Sequence, residues 1–248
     1  ESRLDKQSNH MLLLAENEIG YHNLLQIAST AQVEGFYYNP RVDKDYLASH
    51  SAGLIATSGC MASEIPRAIR AGDMDIVRQK LDWYYSVFGK DNYFLELQEH
   101  NIAELPAINK ALLELGPRYQ ARYVATNDVH YIQQEDSRLQ DVLLAVQTGA
   151  TLKDPNRMRM GDDSYYLRSP DEMSRIFSEV PESITNTQLI ADRCALDLER
   201  KTYHLPLFEV PEGFTTESYL RHLCEEGFFR RYCIRAKDPK IRERLEYE

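Results

Sequence analysis

Asp128 and His130, in the run Thr126-Asn-Asp-Val-His130, offer a carboxylate oxygen and an imidazole nitrogen, donors that suit zinc, manganese or iron. They follow Arg122-Tyr-Val-Ala-Thr126, which reads as a strand. In extended chain, residues two apart point to the same side, so this spacing lets the two side chains converge. The same pair also fits an aspartate capping the next turn with a histidine packed beside it. Other donors stand at the ends of other predicted strands. Cys60 follows Gly53-Leu-Ile-Ala-Thr-Ser58, and Glu96, Gln98 and His100 share one face at the end of Tyr93-Phe-Leu-Glu-Leu-Gln98. Each has an ordinary alternative. Cys60 suits a small inert core residue and Glu96 a surface strand carboxylate, while His100 suits a hydrogen-bonding residue that orients a neighbour. His10 precedes the apolar run Met11 to Ala15; were that strand parallel to the others, His10 would sit at the opposite end of the sheet. His22, His50, His204 and His222 have no partner at useful spacing.

Other chemistries lack a signature. There is no nucleophile elbow and no glycine-rich phosphate loop. Asp73-Met-Asp75 has the spacing of a metal pair, but it opens a helix, where acidic residues are favoured by the helix dipole.

The elements that must position these donors alternate. His10 to Ala15, Gly53 to Ser58, Tyr93 to Gln98 and Arg122 to Thr126 read as strands. Between them fall helical patterns from Tyr21 to Ala31, closed by Gly35, then Ser63 to Arg70, Met74 to Phe88, stopped by Gly89, and Glu104 to Leu115, ended by Gly116-Pro117. A further amphipathic helix spans Glu135 to Gln147. Alternation of this kind implies parallel strands joined by helical crossovers, an α/β fold with its chemistry gathered at the strand C-terminal ends. After Thr151 the rhythm stops. A polar irregular stretch, Asp154 to Asp163, precedes helices near Pro170 to Phe177 and Pro181 to Ala195, a passage marked by Pro206, Pro211 and Gly213, and helices from Ser218 to Tyr232 and from Lys240 onward. The predicted division is residues 1–200 and residues 201–248.

Composition sets the bounds. At 248 residues, 43% hydrophobic and 27% charged, the chain has the make-up of a globular protein. Its length corresponds to about 1.7 domains on the usual prior. Four cysteines without C-x-x-C spacing, and no secretory signal pattern, point to a reducing cytoplasm. The apolar run Met11 to Ala15 is far too short to span a bilayer, so no membrane role is expected. A net charge of -10 argues against a surface built mainly to embrace nucleic acid; the segment Arg230 to Lys237 is locally basic.

Several phrases together carry a resemblance: Leu12-Leu-Leu-Ala-Glu-Asn-Glu-Ile-Gly-Tyr-His-Asn-Leu-Leu25, Glu34-Gly-Phe-Tyr-Tyr-Asn-Pro-Arg-Val-Asp43, Ser58-Gly-Cys60, Phe94-Leu-Glu-Leu-Gln-Glu-His100 and Val124-Ala-Thr-Asn-Asp-Val-His-Tyr131. Thr151-Leu-Lys-Asp-Pro-Asn-Arg157, Tyr165-Tyr-Leu-Arg-Ser-Pro-Asp-Glu172 and Lys201-Thr-Tyr-His-Leu-Pro206 continue it. In order and over nearly the whole length, the chain resembles the alpha subunits of bacterial DNA polymerase III, the replicative C-family polymerases.

The resemblance implies a partial distorted β/α barrel of the PHP type, followed by a mainly helical segment leading into the polymerase palm. By matching phrases, the family's metal-ligand positions fall on His10, Cys60, Asp128 and His130; Glu96 and His100, from their place at the end of the third strand, are expected to support them. This revives His10 against the topological objection. It implies a divalent metal, zinc or manganese, at this site and a 3'-5' exonuclease role for the module. It also implies magnesium at a polymerase site outside this chain, DNA and deoxynucleoside triphosphates as partners of the parent polymerase, and a sliding clamp and a separate proofreading exonuclease as fellow subunits. The family's earlier histidine and glutamate ligand segments have no counterpart here, and no palm aspartate is recognised, so the segment alone is expected not to extend primers. A stand-alone PHP phosphoesterase and a non-catalytic scaffold are the rival readings.

Overall fold

The computed structural model describes residues 8–198 and 206–248. A short strand β1 (Leu13–Ala15) is followed by Asn17, whose side chain accepts from the Gly20 N–H at 3.1 Å and so caps α1 (Glu18–Val33). Asp43 caps α2 (Lys44–Ser49) in the same way. There follow β2 (Leu54–Thr57), α3 (Glu64–Arg70), α4 (Met74–Phe88), β3 (Tyr93–Leu97), α5 (Leu105–Tyr119) and β4 (Arg122–Ala125). A 3-10 turn, Gln134–Asp136, leads into α6 (Ser137–Gln147); α7 (Pro170–Ile176) and α8 (Glu182–Arg193) come later.

The four strands form one sheet in the order β1-β2-β3-β4. β2, β3 and β4 are parallel and joined by helical crossovers, the wall of a partial β/α barrel. β1 is not. It runs antiparallel to β2, with Leu13 opposite Ala56 and Ala15 opposite Leu54, which corrects the expectation of parallel strands throughout. A close backbone contact accompanies the antiparallel pairing. Gly53, at φ 71°, enters β2 beside the end of β1, and its carbonyl accepts from the Glu16 N–H at 2.9 Å. A Cβ on Gly20 would lie 1.9 Å from that carbonyl oxygen, so α1 can start this close only on glycine. In an antiparallel pair, the residue before one strand lies at the end where the other finishes. The strand also begins later than expected, at Leu13, leaving His10 outside it.

Strand alternation sorts the core. Leu54, Ala56, Tyr93, Leu95, Leu97, Tyr123 and Ala125 pack with buried residues of α1 to α5, among them Ile65, Leu81 and Leu112. Ile55, Phe94 and Val124 point the other way and are covered by Ile190 of α8. The three parallel strands are therefore buried on both faces, as their unbroken apolar runs require.

One helix end differs from expectation. α5 does not stop at Gly116-Pro117 but runs through Pro117 to Tyr119 and closes on Gln120, at φ 50°. A proline there denies the Leu113 carbonyl its helical N–H, and the Tyr123 hydroxyl donates to that carbonyl instead, at 3.3 Å. α1 closes as expected at Gly35: the N–H groups of Glu34 and Gly35 both donate to the Thr30 carbonyl at 2.9 Å, and a Cβ on Gly35 would meet the Arg41 carbonyl oxygen at 1.8 Å.

The chain divides into two compact units between Asp197 and Leu198. The predicted division at residues 200 and 201 lies outside the described residues, as do His204 and most of the Lys201 to Pro206 phrase. The second unit comprises α9 (Thr216–Tyr232), a 3-10 turn at Cys233–Lys237 and α10 (Pro239–Tyr247), tied by Arg242 to Glu225 and by its guanidinium 5.3 Å from the centre of the Phe228 ring. Among the described residues no helix is long and apolar enough to cross a membrane.

Candidate metal centre

Because β1 is antiparallel, His10 arrives at the end of the sheet where β2 finishes. Its N–H donates to the Ala62 carbonyl at 3.3 Å, and its Nδ1 lies 3.8 Å from Cys60 Sγ. Gly59, at φ 73°, makes the turn that presents Cys60; a Cβ there would lie 2.1 Å from Ser63 Oγ. Two ligands on one tetrahedral zinc, at about 2.0 and 2.3 Å from it, stand roughly 3.5–3.8 Å apart, so the His10–Cys60 spacing fits a shared ion. Burial pushes the Cys60 thiol up, and the carboxylates of Asp128 and Glu96 add to the effect, so a metal would have to displace its proton.

Asp128 reaches the same place by a turn rather than by strand alternation. It has φ 42°, residues 126–130 form no strand, and the two-residue convergence expected of Asp128 and His130 does not describe this backbone. His130 Nδ1 instead lies 2.6 Å from the main-chain carbonyl oxygen of Asp128. That bond makes Nδ1 the donor and leaves the lone pair on Nε2, the arrangement usual for a metal-binding imidazole. The ring stands edge-on to Tyr165, 5.7 Å between centres.

An open cleft of about 550 Å³ is lined by His10, Met11, Cys60, Glu96, Thr126 and Asp128, among others. The structure thus brings His10, Cys60, Glu96 and Asp128 onto one cleft and places His130 just past its rim residue Val129. Among the described residues, no three His, Cys, Asp or Glu side chains close on a common point. Donor types and the His10–Cys60 spacing fit a zinc- or manganese-sized ion; the full set is not gathered around one.

Glu96 is buried, 6% exposed, not a surface carboxylate. His100 is also buried, and is held from the far side of the chain. Ser164 Oγ donates to Asp162 at 2.5 Å and lies 2.7 Å from His100 Nδ1, so the imidazole donates to the hydroxyl, and the ring stacks on Tyr165 at 4.1 Å. Burial lowers the His100 pKa, working with Arg168 against Asp162. Asp162 lies below the usual carboxylate range: burial opposes this, but hydrogen bonds from Ser164 and the Asn101 N–H prevail. Asn127 fastens the same segment, donating to the carbonyls of Ser164 at 2.8 Å and Tyr166 at 2.7 Å. Sequence reasoning missed Asn127, Asp162, Ser164 and Tyr165, because a polar stretch distant along the chain carries no local signal of what it packs against.

The sheet end that collects these imidazole, thiol and carboxylate groups belongs to a PHP domain: residues 1–100 match the model of the "PHP domain" family. The chain matches the PHP region of bacterial DNA polymerase III alpha subunits. It is 39% identical over 256 residues to DNA polymerase III subunit alpha of Treponema pallidum (strain Nichols), covering 100% of this chain and 22% of that protein. It is 40% identical over 259 residues to the Thermus aquaticus subunit, covering 99% and 21%. It is also 40% identical over 249 residues to that of Borreliella burgdorferi (strain ATCC 35210 / DSM 4680 / CIP 102532 / B31), again covering 99% and 21%. The chain therefore spans about a fifth of the length of these curated relatives.

Proposed function

We propose that this segment serves a replicative DNA polymerase as its metal-binding PHP module, and that the cleft at the sheet end where β2, β3 and β4 finish and β1 begins is the metal centre. The observation that carries the polymerase assignment is the end-to-end match at 39% and 40% identity to alpha subunits. The His10–Cys60 approach at the strand ends supports the metal. His10, Cys60 and Asp128 would hold zinc or manganese, with His130 binding through Nε2. A divalent ion held there would supply Lewis acidity, lowering the pKa of a bound water and offsetting charge on the leaving oxygen of a phosphodiester. The Asp128 carbonyl fixes the His130 tautomer, and the Ser164–Asp162 pair anchors the His100 ring beside it. With DNA as substrate, this is a 3'-5' exonuclease site. Primer extension from deoxynucleoside triphosphates with magnesium belongs to the polymerase region, which residues 201–248 lead into, and a sliding clamp and a proofreading exonuclease are the expected partners in the cytoplasm.

The test uses the full-length protein. Asp128→Asn should lower its zinc or manganese content and abolish metal-dependent release of 3' nucleotides while primer extension continues. Unchanged metal content by elemental analysis rejects the assignment of the centre.

A further inference from the structure

We propose that Glu96 is a positioning residue: its one carboxylate ties together the C-terminal ends of β2, β3 and β4, and so sets the distance between Cys60 and Asp128. The inference rests on the metal reading above. Glu96 is the penultimate residue of β3, the strand between the two that carry those donors. Its Oε2 accepts from the hydroxyl of Thr57, the last residue of β2, at 2.5 Å. Its Oε1 accepts from the hydroxyl of Thr126, the residue after β4, at 2.6 Å and from Gln98 Nε2 at 2.8 Å. Its own N–H donates to Ser58 Oγ at 2.8 Å.

Thr57 lies three residues before Cys60 and Thr126 two before Asp128. The main-chain ladder makes its last bonds at this level, from the Ser58 N–H to the Phe94 carbonyl at 2.9 Å and from the Thr126 N–H to the Leu97 carbonyl at 3.0 Å. Glu96 thus takes over where backbone pairing stops and the donor loops begin. A buried carboxylate is not what fold stability asks for, since an apolar side chain of similar volume is often as stabilising. This one also lines the metal cleft.

The experiment is calorimetric titration of zinc and of manganese into metal-stripped full-length protein, with the metal-free melting temperature of each variant measured alongside. Glu96→Gln keeps an acceptor oxygen for Thr126 and Gln98 and an amide whose N–H the Thr57 hydroxyl can accept, so it should lose far less affinity than Glu96→Ala. Glu96→Ala removes the carboxylate bonds to Thr57, Thr126 and Gln98, leaving only the main-chain bond to Ser58, and should weaken affinity by ~10–100-fold, the range for lost partners of metal ligands. Should Glu96→Ala fail to fold, Thr126→Val, which cuts the tether to β4 alone, should still weaken binding. If Asp128→Asn weakens binding and neither Glu96→Ala nor Thr126→Val does, the positioning role is overturned. If Glu96→Gln loses as much as Glu96→Ala, charge rather than position is at work, and the proposal is likewise overturned. If Asp128→Asn binds metal normally, the metal reading falls and this inference falls with it.

Discussion

Glu64 opens α3, immediately after the loop that presents Cys60, with its side chain 9% exposed. Three groups from other helices meet it: Lys80 of α4, Lys44 of α2 at 2.9 Å and the Tyr84 hydroxyl of α4 at 2.8 Å. Lys44 also lies over the rings of Trp83 at 4.8 Å and Tyr84 at 5.3 Å. Removing one partner of a fully buried ion pair costs about 3–5 kcal/mol. Here the lysines are 41% and 26% exposed and can turn to water, so Glu64→Gln should cost less. We expect ~2 kcal/mol, a fall in melting temperature of roughly 4–8 °C for a domain this size. Acid should erase the difference. Burial alone would raise the Glu64 pKa, but Lys80, Lys44 and Tyr84 prevail and hold it below its ordinary value of 4.5. A depressed carboxylate stabilises fully above its unfolded pKa and loses that contribution as pH falls through the folded one. In calorimetric scans the gap between wild type and Glu64→Gln should therefore be widest near neutral pH and shrink below about pH 4.5. A gap that stays constant or widens on acidification refutes this reasoning.

Gly20→Ala should destabilise by ~3 kcal/mol or more in chemical denaturation, because the new methyl overlaps the Gly53 carbonyl, which is backbone and cannot swing aside. An unchanged denaturation midpoint would show that α1 does not start against β2. Tyr123→Phe should cost about 1 kcal/mol by leaving the Leu113 carbonyl without a donor. In a Pro117→Ala background, where residue 117 regains its N–H, the same change should cost clearly less; equal costs in both backgrounds would contradict the substitute-donor account.

The strands β2, β3 and β4 were legible because each is a short apolar run buried on both faces, and α4 because Val77, Leu81, Tyr84 and Phe88 share its buried stripe. The direction of β1 was not. Its antiparallel pairing with β2 comes with Gly20 and Gly53 meeting across the chain, a contact that no local pattern reveals. For the same reason His10 seemed misplaced from its order in the sequence, and only the family resemblance pointed to it. Cys60 and Asp128 could be singled out by residue type and strand-end position, but Asp128 sits at positive φ, a conformation unusual for a non-glycine residue that residue type did not betray. Thr57 and Thr126 could not have been linked to Glu96 from sequence, since their bonds depend on strand order and register.

Anomalous diffraction from full-length protein crystallised with saturating manganese or zinc would test the metal centre most directly. A peak is expected in the cleft about 2.0–2.3 Å from a His10 ring nitrogen and Cys60 Sγ, with the Asp128 carboxylate turned toward it. A saturated protein whose only peaks lie away from these three side chains would contradict this expectation.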